Sequence, residues 1–324
     1  MPFTFGPLPS RRLGMSLGID LVPNKTCNYT CVYCQLGRTT NYTNTRASYF
    51  DPEKIWAEIG EKLQKLDIKE INYITIVGNG EPTLSLDIGW CIRKIKREYS
   101  LPVAVITNGA LLYVPQVRAD LAAADVVLPT LDAGTEDIFR IINRPHNEIT
   151  LNKVISGLEE FRNQYNGQIW LEVMLVRDVN DSPQKMHLIA DAIHRCNPDR
   201  IYVNVPIRPP AESWVHVPSL QALHMAKKIF PGCHIIDFPE SGYIDLPGQN
   251  ATELHENLVQ IVKRHPLKET KILEILKRKN CANPTYFLEE ALSLGQLREF
   301  TYEGVFYIQF VDREDEKSWN LKEP

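Results

Sequence analysis

No stretch of this sequence approaches the roughly 20 consecutive apolar residues that a membrane-crossing helix needs. Its first seven residues, Met-Pro-Phe-Thr-Phe-Gly-Pro, lack the basic-then-apolar pattern of a secretory leader. Both absences point to a cytoplasmic protein with no membrane partner. Cysteine is sparse and unevenly placed: there are seven in 324 residues, with none before residue 27. An odd number with three clustered does not read as a disulfide framework, which again suits a reducing compartment. The net charge of −4 gives no global attraction to nucleic acid, so any such binding needs a local basic patch. Internal repeats and low-complexity tracts are absent. With 44 % hydrophobic and 23 % charged residues, the chain is an ordinary globular one, long enough for a large domain and a small one.

The chemistry is concentrated in residues 24–34, Asn-Lys-Thr-Cys-Asn-Tyr-Thr-Cys-Val-Tyr-Cys. Cys27, Cys31 and Cys34 follow a Cys-x3-Cys-x2-Cys spacing, and Tyr33 stands just before the last. The next cysteine is Cys91. Structural zinc is closed by four Cys or His ligands, and common iron–sulfur clusters take four thiolates. Three thiolates on one short loop would hold three irons of a [4Fe–4S] cube and leave the fourth open to a chelating small molecule. A zinc loop completed by a distant His is the competing reading. Cys91, Cys196, Cys233 and Cys281 are isolated and read as small buried hydrophobes.

Around this loop the periodicity alternates. Residues 5–18, with two prolines and three glycines, read as an ordered loop or arm, and Arg11 and Arg12 within it could clamp an anion. Strands are predicted over 19–22, 71–77, 102–106, 126–131, 168–176 and 201–205. Helices are predicted over 52–66, 84–99, 116–123, 135–142, 150–164 and 182–195. Six strands each followed by helix argue for a right-handed parallel α/β sheet. A flat sheet and a barrel both fit, but the unusual motifs all follow strands, as at the C-terminal mouth of a barrel.

Three such motifs stand out. Gly78-Asn79-Gly80-Glu81-Pro82 follows the second strand; glycines allow close backbone approach, and a strand-end carboxylate can accept from an ammonium group. Thr107-Asn108-Gly109 follows the third and reads as a strand-to-helix turn, because the second arm of an Asn-Gly hairpin is missing. Asp132 ends the fourth strand, with Asn143-Arg144-Pro145-His146 soon after; Val176 and Asn204 lie at the ends of the fifth and sixth.

Residues 207–250, richer in proline (Pro239 and Pro247 among them), look like an extension packing on the barrel. From Ala251 the pattern changes to three helices, the first ending at His265-Pro266, and two alternating runs hinged at Glu303-Gly304. Between Lys263 and Lys279, seven basic residues face two acidic ones, a local excess of +5.

The cysteine loop, with Tyr33, resembles that of the radical S-adenosylmethionine (radical SAM) superfamily. The resemblance implies an α/β fold, a partial (β/α)6 TIM-like barrel over residues 1–206; separately, the three helices and hairpin of residues 251–324 resemble a small winged-helix-like domain. It implies a [4Fe–4S] cluster on Cys27, Cys31 and Cys34, with S-adenosyl-L-methionine on the open iron. Tyr33 would lie near the adenine. Gly78, Asn79, Gly80 and Glu81 resemble the Gly-Gly-Glu element that holds the methionine amino group. Thr107 and Asn108 would contact ribose and carboxylate, and Asp132, Arg144, Val176 and Asn204 would face the site. A reduced flavodoxin or ferredoxin-type donor is implied, as is a 5′-deoxyadenosyl radical for hydrogen abstraction.

Asp132 and the Asn143–His146 stretch look like the wyosine-synthase branch, which acts on transfer RNA. That branch carries a second cluster on upstream cysteines, and residues 1–26 hold none, so a single-cluster relative is expected. Its substrate would be RNA or protein recruited by the terminal domain. The alternative is an iron–sulfur sensor whose winged helix binds a nucleic acid or protein.

Overall fold

A computed structural model describes residues 2–236, 246, 250–264 and 266–311. Pro239, Pro247, His265 and residues 312–324 of the expected terminal domain lie outside the described residues. The chain divides into two compact units, Met1–Gly242 and Tyr243–Pro324.

The first unit is built on strands β1 (Thr4–Ser10), β2 (Gly14–Ile19), β3 (Thr26–Cys27), β4 (Asn41–Tyr42), β5 (Tyr73–Ile76), β6 (Val103–Thr107), β7 (Val126–Pro129), β8 (Gln168–Met174), β9 (Arg200–Asn204) and β10 (His234–Ile236). Its helices are α1 (Pro52–Gln64), α2 (Ile88–Glu98), α3 (Pro115–Leu121), α4 (Glu136–Ile142), α5 (Leu151–Gln164), α6 (Pro183–Cys196) and α7 (Leu220–Ile229). Eight strands form one sheet in the order β1-β2-β5-β6-β7-β8-β9-β10, parallel throughout except for β1 on β2. The sheet curls into a half-barrel, a partial TIM-like α/β fold.

Strand alternation explains how both faces are filled. Ile74 and Ile76, Val103 and Val105, and Leu171 and Val173 pack outward on α1, α2 and α5 residues such as Ile59, Ile92 and Leu158. The residues between them face the other way, where Ala104, Val126, Leu128, Trp170 and Tyr202 join Leu13 in a second cluster. Helix starts follow local chemistry: Asp51 accepts from Glu53 N at 3.0 Å ahead of Pro52, and Ser182 caps α6.

Three sequence expectations are corrected here. Residues 5–18 are a β-hairpin rather than an arm, with Ser10 Oγ accepting from Leu13 N at 3.2 Å in the turn. Prolines 7 and 9 are tolerated because β1 is an edge strand. The strand entering the cysteine loop is β2, which stops at Ile19; Leu21 and Val22 are buried beyond it without strand pairing. The first part of the segment after residue 206 adds to the sheet, since α7 leads into β10, which pairs in parallel with β9.

The second unit runs α8 (Ala251–Arg264), β11 (Leu267–Lys268), α9 (Glu269–Arg278), α10 (Pro284–Ser293), β12 (Leu297–Tyr302) and β13 (Val305–Phe310). The strands form an antiparallel sheet in the order β11-β13-β12. Asn283 caps α10 through Tyr286 N at 3.1 Å. Glu303 and Gly304, at φ 49° and 73°, turn the β12–β13 hairpin.

Candidate active site

The cysteine loop lies across the C-terminal ends of the strands and is held from several sides. Glu81 N donates to Thr26 O at 2.9 Å, and Lys25 N to Asn79 O at 2.5 Å. Thr30 N reaches Asn143 O at 3.2 Å, and Val32 N reaches Ile142 O at 3.0 Å. The loop then folds on itself through Cys34 N to Cys31 O at 3.1 Å. The three thiols thus sit on backbone fixed by β5, α4 and the residues that follow them.

Gly78 and Gly80 are explained by this docking. A Cβ on Gly80 would stand 2.0 Å from Thr26 O, and one on Gly78 would stand 2.0 Å from Asp20 Oδ1. The space a side chain would take at each is filled by the protein's own chain. Between them Asn79 is buried, and neither its Oδ1 nor its Nδ2 has a partner among the described residues.

Glu81 is buried beneath the loop. Its Oε1 accepts from Thr83 Oγ1 at 2.6 Å, Thr83 N at 3.0 Å and Thr107 Oγ1 at 2.6 Å; Oε2 accepts from Asn108 N at 2.7 Å. The carboxylate therefore bolts the end of β5 to the end of β6. Burial raises its pKa, and these donors work against the rise.

Tyr33 is anchored by Asp132. Its hydroxyl donates to Asp132 Oδ2 at 2.5 Å, Asn143 Nδ2 donates to the same oxygen at 2.7 Å, and Met174 N donates to Oδ1 at 2.7 Å. Burial lifts Asp132 to about 6 despite those donors. Asn143 also reaches Cys31 Sγ at 3.7 Å, and Asn108 Nδ2 reaches Cys27 Sγ at 3.7 Å.

The thiols themselves are pushed up, chiefly by burial. Glu81 adds to the effect at Cys27 and the neighbouring thiols at Cys31, while Lys25 opposes it at Cys34. Metal loading must then release protons. Among the described residues, no three His, Cys, Asp or Glu side chains converge on a position for one metal ion. A cube takes one thiolate per iron, so it asks for sulfurs set apart around a loop. The donor set fits a cluster, and the unpartnered Asn79 amide suits a polar ligand beside it.

The remaining expected residues are placed differently. Arg144, at φ 45°, donates to Glu212 Oε1 at 2.6 Å. Val176 is buried in the core with its N–H on Asn180 Oδ1 at 2.8 Å. Asn204 lies at the end of β9; its buried Oδ1 has no partner among the described residues. Asn143, Asn28, Thr83 and Glu212 were not foreseen as site residues. Asn143 stood inside a motif already singled out, but Glu212 gave no local signal.

The sequence model of the radical SAM superfamily matches residues 21–205. The chain belongs to the radical SAM superfamily. Along its whole length it is similar to UPF0026 protein MJ1312 of Methanocaldococcus jannaschii, at 33 % identity over 99 % of this chain and 100 % of that one. It is also 36 % identical to a protein named GTPase Obg from Brachyspira hyodysenteriae, over 93 % of this chain and 44 % of that protein. In fold it resembles a radical SAM methyltransferase from Sphaerobacter thermophilus, with a TM-score of 0.51 and 16 % identity over 68 % of this chain and 64 % of that one. Radical SAM proteins bind a [4Fe–4S] cluster and S-adenosylmethionine, and this chain is a radical SAM enzyme. No helix among its described residues is long and apolar enough to cross a membrane.

Proposed function

We propose that this radical SAM enzyme carries a single cluster on Cys27, Cys31 and Cys34 and acts on a substrate recruited through its C-terminal unit. The observation that carries the reading is three half-buried thiols on one loop with no fourth cysteine beside them. When bound and reduced, cluster and S-adenosylmethionine supply carbon–sulfur cleavage and a 5′-deoxyadenosyl radical for hydrogen abstraction. In this reading Glu81 and Asn79 hold the methionine end of the cofactor, Thr107 and Asn108 flank it, and Tyr33, fixed by Asp132, borders the adenine. A reduced flavodoxin or ferredoxin-type protein is the electron donor. With no cysteine in residues 1–26, this reading makes the chain a single-cluster relative of the wyosine-synthase branch.

The order of elements in the C-terminal unit, three helices with a strand after the first and a terminal hairpin, supports a winged-helix-like module. Its basic residues, including Lys277, Arg278 and Lys279, support an RNA-linked substrate. The exposed face of α10 favours a second reading, a protein partner. That face carries Tyr286, Glu289 and Glu290, with no basic residue on the helix.

Anaerobic reconstitution of the full chain tests the core of the proposal. The expected result is about four irons and four sulfides per chain, with 5′-deoxyadenosine released on reduction. Cys27→Ala, Cys31→Ala or Cys34→Ala should abolish both, while Cys196→Ala should not. Stoichiometric zinc without iron absorbance would sink the single-cluster reading.

A further inference from the structure

Two carboxamides, Asn108 just past β6 and Asn143 at the C-terminus of α4, each direct an N–H at a different cysteine of the loop. Asn108 is fixed by its neighbours: Oδ1 accepts from Ala110 N at 2.9 Å, and Nδ2 donates to Asn28 Oδ1 at 2.7 Å. An amide nitrogen carries two hydrogens. The second is left for Cys27 Sγ at 3.7 Å. Asn143 is held differently: one hydrogen goes to Asp132 Oδ2 at 2.7 Å, and the other faces Cys31 Sγ at 3.7 Å beside the Tyr33 hydroxyl at 3.4 Å, while its Oδ1 has no partner among the described residues. Asn143 is buried, and its orientation is set by a carboxylate that accepts from three groups.

The sulfurs are not served alike. Cys27 also accepts from Tyr29 N at 3.4 Å, and Cys34 accepts from the Leu36 backbone. Among the described residues, no backbone N–H donates to the Cys31 sulfur. The Tyr33 hydroxyl, which also lies against Cys31, is committed to Asp132. The Asn143 amide is therefore the main donor to the Cys31 sulfur.

We infer that Asn143, seconded by Asn108, is a positioning residue that sets the reduction potential of the cluster through N–H···S hydrogen bonds. The inference rests on the single-cluster reading above. One-electron reduction adds negative charge that is shared with the ligating sulfurs. A donor pointing at a sulfur stabilises the reduced form more than the oxidised one and raises the potential. A low-dielectric, buried setting strengthens the effect. Asp132 matters indirectly, because it turns the Asn143 amide toward Cys31 while holding Tyr33. Redox tuning and placement of the aromatic thus share one carboxylate.

The test is an EPR-monitored redox titration of the reconstituted full chain, with iron and sulfide counted first. Asn143→Leu keeps the side-chain volume and removes the donor. It should retain its irons while the equilibrium constant for reduction falls about tenfold, about 59 mV for one electron. Asn108→Ala should fall less, about threefold, since Tyr29 N–H still serves Cys27. Sulfur K-edge absorption should show the Cys31 change as altered iron–sulfur covalency. Loaded variants whose potentials lie within twofold of wild type in that equilibrium would overturn the inference and leave the cluster reading intact. Should Asn143→Leu fail to hold iron, Asn108→Ala decides by the same criterion, and loss of iron from both would reject tuning in favour of assembly. A wild-type chain that never loads iron would instead defeat the cluster reading, and the inference with it.

Discussion

The Tyr33 hydroxyl and Asp132 Oδ2 meet at 2.5 Å across 99 residues of sequence, joining the cysteine loop to the end of β7. The contact explains why a buried carboxylate is kept at this point. Its pKa of about 6 lies above the ordinary 3.8, with burial as the main cause. The folded chain therefore holds this proton more tightly than the unfolded one. The group's contribution to stability is present in full below 3.8 and is lost as pH rises through about 6. In carbon-13 NMR of the cluster-free protein, one aspartate carboxyl should titrate near 6 and vanish in Asp132→Asn. Titration of that resonance near 4 would contradict the assignment.

Tyr33→Phe isolates the hydroxyl. The ring remains, but the carboxylate loses one of its donors, so the Asp132 titration should move higher still. The iron content of reconstituted protein should be unchanged. A downward movement would mean that the hydroxyl is not the donor.

Gly80→Ala should be among the most damaging small changes in the chain. The added methyl would meet backbone, Thr26 O, at 2.0 Å, and backbone cannot rotate away as a side chain can. Overpacking of this kind typically costs about 1–3 kcal/mol. Thermal unfolding should report the loss, and cluster retention should drop because Thr26 adjoins Cys27. Gly304→Ala offers a contrast, strained by its positive φ but with open space around it.

Glu81→Ala should weaken S-adenosylmethionine binding by about ten- to hundredfold, the loss of a charge-assisted bond of roughly 1.5–3 kcal/mol. The variant also strands the Thr83, Thr107 and Asn108 donors, so its melting temperature should fall with it. Equilibrium binding on iron-loaded protein separates the two effects. Full affinity in a destabilised variant would reduce Glu81 to a bolt between β5 and β6.

Replacing Lys277, Arg278 and Lys279 together should flatten the salt dependence of RNA binding, since counterion release scales with neutralised phosphates. Filter binding across a salt series measures the slope. An intact chain that ignores RNA at low salt would shift the proposal to a protein partner on the Tyr286 face.

Much of this architecture was legible because it obeys short periods. Five strands, β5 to β9, the cysteine trio and the β12–β13 hairpin each announce themselves within ten residues. The β1–β2 hairpin was hidden because prolines argue against strands unless the strand is known to lie at an edge. Asn143 and Asp132 were visible as residues, but their bonds to Cys31 and Tyr33 depend on α4 folding back beneath the loop. Glu212 had no chance of being read: it lies in an irregular segment, and its partners are far away in sequence. The room around Gly78 and Gly80 was foreseen, but its occupant was not.

Glu212 carries a consequence for the order of events in the chain's life. It accepts from Arg38 at 2.9 and 3.0 Å and from Arg144 at 2.6 Å, and its own N–H reaches Val32 O at 3.0 Å. A loop that begins at residue 27 is thus fastened by a residue made nearly two hundred positions later. During synthesis, which proceeds at about 5–20 residues per second, the three thiols emerge roughly ten seconds or more before their last fastener does. Iron delivered in that interval would meet a half-secured loop with exposed cysteines. The loop that holds the thiols is therefore fully fastened only once the chain through residue 212 has joined the fold.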